Sequence, residues 1–393
     1  MNLVRFGLDA LLAQPEWLRG RIGLVTNDAA RTTSDANLTS RAALQHAGLN
    51  LVRLFSPEHG LGAGAADGAQ VADSFDSLTG LPVVSLYGET MRPARETLAD
   101  LDALVFDLPD IGARFYTYIW TLSHVLEACA EARVPLIVLD RPNPLGGDLS
   151  DAEGPLLDVE NFSSFVGRAA IPVRHSLTIG ELARLWNAEW RLDADLRVVA
   201  CSGWTRSMHW PDTALPFVQT SPAITSYESA MLYPGLGLFE ATNLSVGRGT
   251  NTAFQFIGAP WLQANEVAHQ FNAFGLSGVT AHADNFVPRL APHPGERCAA
   301  VRLLVGDARS FRPVSAGLHL LATVISLHPK AFCWSKYPTS ANPGGEGHFE
   351  RLIGRAGIRE ALELDSQDLS EQVKTWTAVP GWAERVRHCL LYD

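Results

Sequence analysis

The chain has 393 residues, more than the roughly 250 to 300 at which a single hydrophobic core stops growing, so two domains are expected. Hydrophobic residues make up 47% and charged residues 19%, enough to bury a large core and too apolar for extensive disorder. A formal charge of −11 argues against nucleic acid and anionic membrane surfaces as partners, because both reward clustered Lys and Arg.

The N-terminal stretch MNLVRFGLDALLAQPEW lacks the long apolar segment and small-residue cleavage site of a secretory signal. No run of about 18 apolar residues follows, and a soluble, cytoplasmic chain is expected. Five short apolar runs then alternate with helical stretches. The runs are Arg21 to Asp28, Leu51 to Gly60, Pro82 to Glu89, Ala103 to Asp110 and Pro135 to Pro144, each too short for a buried helix and rich in Val, Ile, Leu and Phe. Helices are predicted over Leu38 to Ala47, Arg92 to Leu101 and Tyr116 to Ala132. The alternation predicts an α/β fold, a Rossmann-like parallel sheet with right-handed crossovers. Its strand C-termini share one edge, where such sheets bind ligands. Asn27, Asp28, Glu58, His59, Glu89, Asp107, Asp110, Arg114, Asp140, Arg141 and Asn143 should converge there.

The Gly/Asp-rich stretch Leu145 to Pro155 breaks the alternation, which places a boundary near residue 150. Residues 1–150 would form the Rossmann-like domain and residues 151–393 an α+β companion closing the cleft. In the second half, helices are predicted at Thr178 to Trp190, Trp261 to Phe274, Ser315 to Leu327 and Gly354 to Leu362, with Thr178 and Glu181 forming a capping box. Strands are predicted at Leu196 to Ala200, Thr252 to Ile257 and Ala299 to Val305. The Gly/Pro-rich stretch Ser335 to Gly347 reads as a surface loop able to cover a cleft. Cys129, Cys201, Cys298, Cys333 and Cys389 are odd in number, widely spaced and without CxxC, which argues against a disulfide framework and a zinc site.

Two glutamates follow adjacent or nearby strands. Glu58 lies in SPEHG and Glu89 in LYGE. Glycosidic hydrolysis needs such a pair, one carboxyl held protonated for the leaving group and one ionised. The same residues also suit a turn cap and a helix start, where acidic side chains are favoured anyway. FDLPDIGARFYTY (Phe106 to Tyr118) gathers Asp107, Asp110, Arg114, Tyr116 and Tyr118, a set that suits a polyhydroxylated ligand or, equally, an internal ion pair among core tyrosines. Two X-Pro steps in DRPNPLGG stiffen the loop that carries Asp140, Arg141 and Asn143. LFEATNLSVGRGTNTAF (Leu238 to Phe254) places Glu240, Asn243, Ser245, Arg248 and Thr250 in a glycine-rich loop resembling an anion-binding nest. The chain has no GxGxxG after the first strand, no P-loop lysine and no GxSxG elbow, which argues against a dinucleotide site, a P-loop and an α/β-hydrolase. His175 and His209 lack metal-ligand spacing and are read as structural, so no metal and no cofactor are expected.

VTND, SPEHG, LYGE, FDLPDIGARFYTY, LDRPNPLGG, EGP at Glu153 to Pro155, SFVG at Ser164 to Gly167, IPVRHSLTIGELA at Ile171 to Ala183 and FEATNLSVGRGT occur in an order that resembles the exo-β-N-acetylmuramidase family, once labelled only as a domain of unknown function. The similarity covers most of residues 5 to 262 and continues weakly to HFERLIG (His348 to Gly354). The resemblance implies a Rossmann-like domain with a smaller companion and an active site between them. It makes Glu58 the leading catalytic candidate and Glu89 the second, with His59, Tyr116, Asp140 and Arg141 lining the site. The substrate implied is terminal β-linked MurNAc on a peptidoglycan fragment, its lactyl carboxylate paired with Arg248, Arg114 or Arg141. Where the family often reads SPNMP this chain has SPAIT at Ser221 to Thr225, and where it reads RHGMT this chain has Arg174 to Thr178 as RHSLT, departures that bear on substrate preference. A non-catalytic cell-wall sugar binder, or a phosphosugar or ester hydrolase, remains the alternative, and the sequence leaves the oligomeric state open.

Overall fold

Strands covered on both faces read as near-continuous apolar runs, and all residues of β1 (Ile22–Thr26) and β5 (Ala103–Asp107) are buried, polar only at their last positions, Thr26 and Asp107. A computed structural model describes residues 3–340, 342–364 and 368–393. Around β1 and β5 lie β2 (Leu51–Ser56), the two-residue β3 (Ser74–Phe75), β4 (Pro82–Ser85), β6 (Leu136–Leu139) and β7 (Leu196–Val199). The sheet order is β3-β4-β2-β1-β5-β6-β7, parallel except for the edge strand β3. The α/β class expected from the alternation is therefore the observed one. The strand predicted at Leu196 to Ala200 is β7, joined to β6 by the helix Ile179–Glu189, so the parallel sheet draws on chain beyond residue 150.

Period-2 alternation divides the sheet side chains between two cores. Val25, Phe55, Leu104 and Phe106 pack with the helix Tyr118–Ala132 and continue into the C-terminal half, whereas Ile22, Leu24, Leu54, Val105 and Ile137 pack with Leu8 and Leu11 of the N-terminal helix Gly7–Ala13. The second sheet is antiparallel, in the order β8 (Phe256–Ala259), β10 (Cys298–Val305), β9 (Val279–Phe286), and packs with the helix Ala264–Ala273, which in turn packs on the helix Pro313–Leu327. This is the expected α+β companion.

Thr178 caps its helix and Glu181 completes the capping box. The helix predicted over Arg92 to Leu101 is only Arg95–Leu98. The one predicted over Gly354 to Leu362 is replaced by His348–Ile353 and Ile358–Glu363, because Gly354 at φ 78° and Gly357 at φ 82° leave the helical region between them. The pattern also missed β9 and the buried helix Tyr227–Leu236, whose inward-facing surround hides its period. Among the described residues no helix is long and apolar enough to cross a membrane.

Candidate active site

β2 ends at Ser56, and Pro57 starts a turn in which His59, Gly60 and Ala63 take positive φ. This turn delivers Glu58 into a cavity of about 630 Å³ between the sheet rim and the C-terminal half. Glu58 is 5% exposed and both its oxygens are engaged. Oε1 accepts from the Gly68 amide at 2.8 Å and Oε2 from the Thr117 hydroxyl at 2.6 Å. Burial raises its pKa above the usual carboxyl range and the negative charge of Asp67 raises it further, against opposing pulls from His59, Thr117 and Gly68. Tyr87, just past β4, lines the same cavity, and its burial together with the charge of Glu58 keeps its phenol neutral.

Close to Glu58, in the same cavity, stands a second carboxylate that sequence reasoning passed over. Asp67 accepts from the Tyr337 hydroxyl at 2.6 Å and lies 3.4 Å from an Arg248 guanidinium nitrogen. Burial alone would raise its pKa. The Arg248 charge and the Tyr337 bond, with smaller help from His59 and His348, outweigh that and hold it below the usual range. Arg248 also binds Glu240, whose own pKa is raised by burial against the pull of that arginine. Tyr337 reaches Glu240 at 3.2 Å and stacks on His348, whose burial lowers its pKa to about 4 and leaves it neutral. Tyr116, Tyr233 and Phe254 form apolar walls. One donor atom each of Glu58, His59 and Asp67 lie within 4.8 Å of one another, close enough to share a cation. Both Glu58 oxygens are already engaged, however, and the guanidinium beside Asp67 competes for the same charge.

Of the residues expected at the site, Glu58, His59, Tyr116, Glu240 and Arg248 line this cavity. Glu89 does not. It is exposed, two residues beyond Tyr87, and outside the cavity lining. Arg114 is fully buried and donates to the carbonyls of Pro155, Ile171 and Leu352. Asp140 caps the helix Ile179–Glu189, accepting from the Gly180 amide and from the hydroxyls of Thr178 and Tyr392. Asn143 bridges Leu177 and Leu145 and sits so close to Gly112 that a Cβ there would lie 2.5 Å from its amide oxygen. Asn27 donates to the Tyr118 hydroxyl, and Asn243 ties its loop to Ala331 and Cys333. Arg141 pairs with Asp107 and, with Asp110, lines a different cavity. Asp67 carried one usable signal, being the lone acid of the Gly/Ala-rich loop directly after SPEHG. Tyr337 and Thr339 come from the Ser335 to Gly347 stretch, of which Ala341 lies outside the described residues. Ala223, in the SPAIT departure, also lines the cavity.

Comparison with known proteins bears on the whole length. Residues 22–228 match the family model described as Exo-beta-N-acetylmuramidase NamZ, N-terminal, and residues 231–392 match its C-terminal counterpart. The chain is 43% identical over 364 residues to the peptidoglycan beta-N-acetylmuramidase NamZ of Bacillus subtilis (strain 168), covering 92% of this chain and 84% of that protein. Two crystal structures of DUF1343 family proteins from Bacteroides fragilis NCTC 9343 are similar throughout. One is 32% identical with a TM-score of 0.86, covering 99% of each chain. The other is 27% identical with a TM-score of 0.75, covering 100% of this chain and 99% of that one.

Proposed function

Because the chain belongs to the exo-β-N-acetylmuramidase NamZ family, we propose that it removes terminal β-linked N-acetylmuramic acid from the non-reducing end of peptidoglycan fragments, with Glu58 as general acid and Asp67 as its ionised partner. The observation that carries the assignment of roles is a pair of carboxyls, with oxygens within 4.8 Å, whose surroundings push their pKa values in opposite directions. Burial and the Asp67 charge favour the protonated form of Glu58, and the Arg248 charge with the Tyr337 bond favours the ionised form of Asp67. That is the division of labour a glycosidase needs.

In this reading Glu58 gives its proton to the glycosidic oxygen as the bond to the anomeric carbon breaks. Asp67 stabilises the developing positive charge and closes on that carbon. Water then attacks the anomeric carbon, passes its proton to Glu58 and displaces Asp67. The short approach of the two carboxyls resembles the retaining class, where they stand about 5 to 5.5 Å apart, more than the inverting class at about 6.5 to 9.5 Å. Arg248 is the one of the three candidate arginines that lines the cavity, and the lactyl carboxylate is assigned to it.

Incubation with MurNAc-GlcNAc, followed by early-time proton NMR, tests the reaction and its stereochemistry together. Release of β-MurNAc is expected. First release of the α anomer removes Asp67 as nucleophile, and the absence of free MurNAc removes the reading itself. An Arg248→Lys variant that keeps the wild-type preference for MurNAc over GlcNAc glycosides overturns the lactyl assignment.

A further inference from the structure

The loop that follows Glu58 is held at both ends by its own half of the chain. The His59 carbonyl accepts from the amides of Gly64 and Ala65, and the Val71 amide donates to the Tyr87 carbonyl. Between these anchors stand Asp67 and Gly68. Apart from the Gly68 bond to Glu58, every hydrogen bond and ion pair of these two among the described residues comes from the C-terminal half. Arg248 and Tyr337 hold Asp67 by its side chain. Gly68 has no side chain to hold, and its carbonyl is gripped instead, by the Ser340 amide at 3.0 Å and the Ser340 hydroxyl at 2.6 Å.

Two donors converging on one oxygen fix a carbonyl in direction as well as in place. The carbonyl and the N–H of one residue are related only by its own φ and ψ, so fixing the first aims the second. The Gly68 N–H is aimed at Glu58 Oε1, 2.8 Å away. The approach is close: a Cβ on Gly68 would lie 2.8 Å from Thr339 Cβ and Cγ2, and its φ of 65° already favours glycine. The strap that brings Thr339 and Ser340 here is tied in turn to the loop bearing the other charges of the cavity. The Ser335 amide donates to the Ala241 carbonyl, the Asn243 amide to the Cys333 carbonyl, and Tyr337 reaches Glu240.

We propose that Ser340 is a positioning residue for the general acid: its two bonds to the Gly68 carbonyl hold the Gly68 N–H on Glu58, so that the acid is set only when Tyr337 to Ser340 are docked on the loop after β2. Ser340 does not itself line the cavity and acts through Gly68. Its neighbour Tyr337 does the same for Asp67 directly, so one strap from the C-terminal half serves both carboxyls. The proposal rests on the reading of Glu58 as the acid. The bonds that link Ser340, Gly68 and Glu58 stand without that reading.

Ser340→Ala keeps the amide bond to Gly68 and removes the hydroxyl one. On a chromogenic MurNAc glycoside it should lower kcat about fivefold, the worth of one hydrogen bond, and leave KM within about twofold. Asp67, His59 and Tyr87 also face Glu58, and none of them is altered. The Gly68 bond pulls the Glu58 pKa down, so loosening it should carry the alkaline limb of the pH–rate profile to higher pH. Ser340→Thr retains a hydroxyl and should restore kcat and limb together. A purely structural role would lower Tm and leave the limb in place. A second readout needs no turnover. In proton-nitrogen NMR of the full chain with labelled glycine, Gly68 is the amide that moves farthest with pH and loses that movement in Glu58→Gln. Its midpoint should rise in Ser340→Ala and return in Ser340→Thr. An alkaline limb or an amide midpoint that stays in place in Ser340→Ala, whatever happens to kcat, overturns the positioning role, as does a folded Ser340→Thr that behaves like the alanine variant. Failure of the wild type to cleave the glycoside would instead count against the glycosidase reading, and the amide titration still decides whether Ser340 governs the bond to Glu58.

Discussion

The rim of the parallel sheet has two halves that use the same residue types to opposite ends. Past β2, charged side chains gather on the wall of a cavity that Tyr87, past β4, also lines. The pKa values of Glu58 and Asp67 there are pushed in opposite directions because one is buried beside a negative charge and the other lies beside a guanidinium. Past β5 and β6, Arg114, Asp140 and Asn143 are spent on backbone carbonyls, amides and a helix cap. The difference teaches that a polar side chain at a strand end becomes chemistry only where its partners are other side chains with unsettled charge. Where the partners are backbone atoms it becomes a fastener.

The largest expected effect comes from breaking the first half. Glu58→Gln keeps shape and loses the exchangeable proton, and should lower kcat by about 10² to 10⁴ with little change in Tm. Asp67→Asn should cost about 10² or more. Near wild-type turnover in either variant, measured on a chromogenic MurNAc glycoside, would erase the contrast between the halves. The second half should answer in stability instead. Arg114→Met strands three buried carbonyls and is expected to cost about 3 kcal/mol or more, read by denaturant unfolding.

A subtler distinction lies in pH. Glu58 acts protonated and its pKa is raised, so kcat/KM should fall as pH rises through a value above the ordinary 4.5. Asp67 acts ionised with a lowered pKa, so the acidic limb should fall below the ordinary 3.8. A pH–rate profile with its alkaline limb at or below 4.5 contradicts this ordering. The smallest effect is expected at Glu89, where Gln should leave kcat/KM within about twofold, since the carboxylate is exposed and outside the cavity.

The parallel sheet was legible because two-sided burial forces continuous apolar runs, and the rim followed from its topology. Glu58 was legible because a strand ends one residue before its turn. Glu89 misled because side-chain alternation holds only while the ladder lasts. β4 stops at Ser85, and the turn at Gly88, bonded to the Thr90 carbonyl, resets which way the chain faces. Density of polar residues misled too, since FDLPDIGAR and DRPNPLGG supply mostly fasteners. Asp67 and Tyr337 are 270 positions apart, and nothing local in either Gly-rich loop announces that they will meet.

The two bonds on Glu58 are unequal in a way that fixes where its labile hydrogen resides. An amide can only give a hydrogen, so the oxygen held by Gly68 must remain a receiver in both protonation states. The hydroxyl of Thr117 can turn about its own bond and receive instead, which leaves the oxygen on that side as the sole seat for the acid. Thr117→Val, losing this reversible rotor, should therefore slow turnover and displace the alkaline limb, whereas Thr117→Ser restores both. Equal profiles for the two variants would show that the rotor is idle.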